Sequence, residues 1–166
     1  MIRDKLTTRF LTQAALIAAA YTALTLALAP FSFGMIQFRL SEALTVLPVF
    51  TAAAVPGLFV GCALANLGGV MMGQSLPPDI LIGSLASLAA ALLTRRLRRN
   101  VLLALIPPVV VNALVIGLEL NILLKLGPVW ACIGYVGLGQ LGVCYTAGLL
   151  LFAGLKRVPE RMWAIR

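Results

Sequence analysis

The sequence predicts an all-α integral membrane protein with six transmembrane helices and both termini in the cytoplasm. Three observations carry this. The 166-residue chain is 61% hydrophobic and only 11% charged, against roughly a quarter charged in an ordinary soluble domain. Its uncharged stretches are long enough to cross a bilayer core, which takes about 20 apolar residues. Its basic residues recur at places that six crossings put on a single face. Five acids and thirteen bases cannot solvate this much apolar surface. A soluble enzyme, a disordered tail and a nucleic-acid-binding module are therefore excluded as whole-chain readings, and the net charge of +8 answers to a membrane surface.

The elements follow in order. Twenty-nine uncharged residues separate Arg9 from Arg39, enough for a first helix at about residues 11–28 and a loop. The 36 uncharged residues from Ala43 to Pro78 are too many for one crossing. Val55-Pro56-Gly57 is expected to break them into helices at about 42–54 and 57–72. After the turn ending in Pro77-Pro78-Asp79, a fourth helix covers about 80–93 and stops at Arg95-Arg96-Leu97-Arg98-Arg99. A fifth, at about 101–124, is expected to bend at Pro107-Pro108, whose missing amides interrupt the backbone ladder. A sixth covers about 130–155. Residues 1–166 thus form a single six-helix membrane domain.

Orientation comes from the charges. Arg3, Lys5 and Arg9, the four arginines between Arg95 and Arg99, and Lys156, Arg157, Arg161 and Arg166 make eleven of the thirteen basic residues. Six crossings place them all on the cytoplasmic side, leaving Arg39 and Lys125 outside. Cleavage of the N-terminal segment as a secretory signal at Ala27-Leu28-Ala29 is not expected. The apolar run is 18 residues, beyond the usual h-region of about 7 to 15, and its removal would put a basic cluster on the wrong face.

Several absences narrow the chemistry. The chain has no histidine, so imidazole catalysis and imidazole metal ligation are out, and Cys62, Cys132 and Cys144 lack metal-site spacing. It has no phosphate-loop motif, so any ATP-driven work needs another subunit. No enzyme activity, no metal and no resident cofactor are expected.

The polar residues inside spans are few and expensive. Glu119, near the outer end of the fifth helix, is the strongest candidate, because an unpaired carboxylate in hydrocarbon costs roughly 2.5 kcal/mol or more and an intramembrane acid therefore marks a candidate functional site. Asn112, seven residues earlier, is only about 20° away around the helix, so both are expected to point into one place. The alternative for Glu119 is a pair with Lys125 at the outer interface. Asn66 and Gln140 are inward candidates for which plain interhelical hydrogen bonding is the rival. In the first loop, Gln37 is either a site residue or a solvated one. Arg39 and Glu42 either pair across one helical turn or leave Glu42 as a helix-start acid. In the first helix, Ala14, Ala15, Ala18, Ala19 and Ala23 form small-residue pairs four apart, a face on which another backbone can lie closely. That backbone belongs either to a partner protein or to the chain's own helices.

The stretch from Ser32-Phe33-Gly34-Met35-Ile36-Gln37-Phe38-Arg39-Leu40-Ser41-Glu42 to Ala43-Leu44-Thr45-Val46-Leu47-Pro48, followed by Pro56-Gly57-Leu58-Phe59-Val60-Gly61-Cys62 and Asn66, resembles the QueT family over nearly the whole chain. The resemblance implies a substrate-binding S component of an energy-coupling factor (ECF) transporter in a bacterial or archaeal-type cell membrane. Such a subunit captures a queuosine precursor, a deazaguanine base such as preQ1, preQ0 or queuine. It works with a transmembrane coupling subunit and two ATPase subunits that use the ATP. The alanine pairs resemble the motif by which S components dock on the coupling subunit. Alternatives are an S component for another small vitamin-like molecule, or a non-transporting membrane assembly subunit. The residue chemistry suits a guanine-like edge, whose row of N–H donors a carboxylate such as Glu119 accepts well beside Asn112. Phe31, Phe33 and Phe38 are candidates to cover the ring, and Glu42 is the expected partner for an aminomethyl cation.

Overall fold

A computed structural model describes residues 8–34, 37–125 and 127–159. Arg3, Lys5, Arg161 and Arg166 of the orientation argument, and Met35 and Ile36 of the first loop, lie outside these described residues. Within them the chain is all-helical: α1 (Thr8–Ala27), α2 (Ala29–Ser32), a 3₁₀-helix (Leu40–Val49), α3 (Ala54–Met71), α4 (Asp79–Arg96), α5 (Val101–Ala104), α6 (Ile106–Glu119), α7 (Val129–Val143) and α8 (Leu149–Leu155). α6 runs on through a π turn at Leu120–Leu124, and another at Cys144–Gly148 joins α7 to α8. Among the described residues, four stretches are long and apolar enough to cross a membrane: Thr8–Ala27, Ala54–Met71, Val101–Leu123 and Val129–Leu155.

The second segment differs most from expectation. It is a 3₁₀-helix over Leu40–Val49 and not an α-helix over 42–54, and the break falls at residues 50–53 rather than at Val55-Pro56-Gly57. Pro56 lies in the first turn of α3, where a missing amide costs no helical hydrogen bond. At about 2.0 Å per residue the ten-residue 3₁₀-helix spans about 20 Å, where an α-helix of the same length would span about 15 Å. α4 continues past residue 93 through Arg95 and Arg96, cations that favour a helix C-terminus. The fifth segment is interrupted at Leu105, and Pro107 and Pro108 sit in the opening turn of α6.

Neighbouring long helices pack in the order α1, α3, α4, α6, α7, and the 3₁₀-helix lies among them, touching α1, α3, α4, α5, α7 and α8. The burial pattern is that of a lipid-facing protein. Leu16, Leu81, Leu85, Leu138 and Leu150 point outward, whereas Arg39, Glu42, Asn66, Asn112, Glu119 and Gln140 are buried. Since lipid is as apolar as leucine, close contact between small residues carries the helix packing. The α1–α3 seam shows it. A Cβ on Gly57 would stand 2.8 Å from the Ala14 carbonyl oxygen, and one on Gly61 would stand 2.9 Å from Tyr21 Cβ and 3.0 Å from Ala18 Cα. Gly61→Ala is therefore expected to destabilise the folded chain by about 1–3 kcal/mol, as overpacking does, despite the higher helix propensity of alanine. Gly134→Ala, at a position with open space, should cost nothing measurable. Denaturation in mixed micelles checks both; equal stability of the two variants would mean that the seam can relax.

Candidate functional site

At one end of the bundle, the segment after α2, the turn between α3 and α4, and the end of α6 enclose a cleft of about 170 Å³ that narrows inward to a smaller lobe. Phe33, Gln37, Asp79, Glu119 and Leu120 line both parts, and Arg39 and Asn66 line the inner one. The volume lies below the roughly 300–1,000 Å³ typical of drug-sized pockets, which suits a single flat ring system.

Each side chain is placed by its local backbone. Gln37 has a positive φ of 45°, in a tight turn where its N–H donates to the Gly34 carbonyl at 2.9 Å and its own carbonyl accepts from Arg39 N–H at 2.8 Å. That turn delivers Arg39 into the bundle. Its guanidinium donates to Asn66 Oδ1 and lies 4.9 Å from the centre of the Phe33 ring. Asn66 in turn donates to the Asp79 carbonyl at 2.6 Å, tying α3 to the start of α4. One carboxylate oxygen of Asp79 accepts from the Ser75 hydroxyl and, at 3.0 Å, from Leu76 N–H. Glu119 is 7% exposed and its Oε1 has no hydrogen-bond partner. Its side chain meets that of Asp79 within hydrogen-bond reach, and Arg39 is the nearby cation.

A second polar layer lies deeper. Glu42 is 1% exposed. It accepts from the Tyr21 hydroxyl at 2.5 Å and from Asn112 Nδ2 at 3.4 Å, and Gln140 reaches the same carboxylate. Four segments that are remote in sequence meet on this one group.

Several expectations are corrected. Glu119 and Asn112 share a side of α6 but not a cavity: seven residues are about 10 Å along the axis, so Glu119 lines the cleft while Asn112 binds Glu42. Arg39 turns to Asn66 and not to Glu42 across one helical turn. Glu119 faces Asp79 and Arg39 and not Lys125. Of the loop aromatics only Phe33 lines the cleft, Phe31 and Phe38 being 66% and 48% exposed. Glu42, engaged by Tyr21 and Asn112 below the cleft, does not line it. The alanines of α1 divide: Ala14 and Ala18 pack beneath Gly57 and Gly61, whereas Ala15, Ala19 and Ala23 face outward.

Asp79 and Tyr21 were not singled out. An acid in the first turn of a helix is normally a dipole partner, which hid Asp79. Its place among five acids in a charge-poor chain was the available signal. Tyr21, the one tyrosine in an alanine-rich helix, offered a weaker one. Among the described residues no group of His, Cys, Asp and Glu is arranged to hold a metal ion.

Among known proteins, a family model described as QueT transporter matches residues 11–157. No curated protein and no solved structure matches the chain at the significance required.

Proposed function

The chain belongs to the QueT transporter family, a membrane transport family, and from that premise we infer that it is the substrate-capturing S component of an ECF transporter for a queuosine precursor. The single observation that carries the substrate reading is the cleft in which a buried carboxylate, Glu119, keeps one oxygen unpartnered beside Arg39, Asn66 and the Phe33 ring. A deazaguanine edge presents adjacent N–H donors to such an acceptor, and a flat base matches the size and the aromatic wall of the site. The chain is read as crossing six times with cytoplasmic termini. The 3₁₀-helix and α4 supply the two crossings beyond the four long apolar stretches, and the cleft then opens outward. Motion of the substrate across the membrane is assigned to the coupling subunit and two ATPases. The outward alanines of α1 supply a face on which the coupling subunit would dock.

Equilibrium binding of radiolabelled preQ1, preQ0 and queuine to the purified chain is the test, with at least one base expected to bind. Glu119→Gln should weaken that binding by about 1–3 kcal/mol, the worth of a hydrogen bond to a charged acceptor, which is about 5-fold to 150-fold in Kd. Unchanged affinity in a folded Glu119→Gln protein would remove Glu119 from the site. Asn112→Ala, acting through Glu42, should have a milder effect of the same sign.

A further inference from the structure

The acidic groups around the cleft outnumber the basic ones. Its lining contains two carboxylates, Asp79 and Glu119, and one guanidinium, Arg39. Arg39 is also the cation whose field reaches the buried Glu42 in the layer below, and its hydrogen bonds go to uncharged groups, the Asn66 amide and the Cys62 sulfur. Charge confined in a water-poor site is costly unless an opposite charge accompanies it. The two acids are held differently. Glu119 projects from the end of α6 with Oε1 buried and unpartnered. Asp79 is half-buried at the start of α4, with the Ser75 hydroxyl and Leu76 N–H fixing one of its two oxygens. That grip orients the carboxyl, whose side chain also meets that of Glu119 within hydrogen-bond reach, so the two acids face each other in the cleft. Gln74 and Ser75 flank it in the wider part of the cleft.

We propose that Asp79 is a specificity-determining residue that receives a cationic amine on the ligand, while Glu119 reads the uncharged N–H edge of the ring. The site is thereby selective for an ammonium-bearing base over a neutral one of the same ring. This rests on the deazaguanine reading above and adds to it which substituent the site prefers. The amine supplies a cation in place of the proton by which two facing acids otherwise meet, and its three N–H donors suit a fixed carboxylate.

The test compares two bases with the same ring, preQ1 with its aminomethyl cation and preQ0 with its neutral nitrile, on the purified full chain in micelles. Wild type should bind preQ1 about 10-fold to 100-fold more tightly than preQ0, the range for a hydrogen bond to a charged group. Asp79→Asn keeps an acceptor oxygen for Ser75 and Leu76 and should bring the two affinities within about threefold, chiefly by weakening preQ1. Glu119→Gln should weaken both bases and leave their ratio in place. Equal affinity for the two bases in wild type, as a proton shared between the two carboxyls would produce, overturns the proposal and leaves the deazaguanine reading standing. A ratio that survives Asp79→Asn but collapses in Glu119→Gln also overturns it. Binding of neither base overturns the deazaguanine reading, and this proposal with it.

Discussion

On the proposed function, replacing Ala15 and Ala19 together with leucine is expected to abolish uptake in cells while the purified chain still binds the base. Both residues lie on the outward side of α1, a helix whose other side is committed to α3. Small residues let a foreign helix approach to backbone distance, and two leucines would hold it away and remove that contact. The cleft is built by the segment after α2, the α3–α4 turn and α6, so it should survive. The measurements are co-purification with the coupling subunit of the proposed transporter, uptake by intact cells, and binding to the isolated chain. Retention of complex and uptake would make this face an ordinary lipid contact. Ala18→Leu is the informative contrast. Ala18 is buried against the position of Gly61, so that variant should lose folding and binding together. Separation of the two outcomes on one helix, within a single turn, is what distinguishes a docking face from internal packing.

Arg39→Met is expected to cost about 3 kcal/mol of stability or more, because it removes the cation from a buried site that still holds acids. Arg39 is 6% exposed, bonds Asn66, lies against Phe33 and is the charged neighbour of Glu42. Arg39→Lys should recover only part of the loss, since an ammonium cannot stack flat on Phe33 while presenting a planar fork to Asn66. The decisive variant is Arg39→Met combined with Glu42→Gln. Removing both means that Glu42 no longer faces the loss of its cation, so the pair should be less destabilised than the sum of the single changes. Simple additivity, measured by denaturation in mixed micelles, would show that the two groups do not interact. Base binding should fall in every Arg39 variant, because the inner wall of the cleft is lost with it.

Part of the candidate cleft was legible in the sequence because polar residues in an apolar chain are conspicuous. Glu119, Arg39, Asn66 and Gln37 were all candidates on that ground, and all four line the cleft. What failed was depth. Helical periodicity reports the angle of a side chain around its axis, and by that measure Asn112 and Glu119 coincide. It does not say which neighbour stands opposite at each level, and two turns are enough to move Asn112 from the cleft to the Glu42 layer. The alanine stripe failed in the same way. Spacing of four marks a face as smooth, and α3 occupies only half of the smooth surface.

By itself the sequence determined that the chain is helical and carries long apolar spans suited to lipid, because span length and charge-free runs act locally along the chain. The 3₁₀ form of Leu40–Val49, the meeting of Tyr21, Asn112 and Gln140 on Glu42, and the facing of Asp79 and Glu119 were decided only by the tertiary structure. Those groups lie far apart in the chain, and the partner that satisfies or confronts a buried polar atom is set by how helices pack. No local pattern encodes that choice, since the energy that selects it exists only once the helices are in contact.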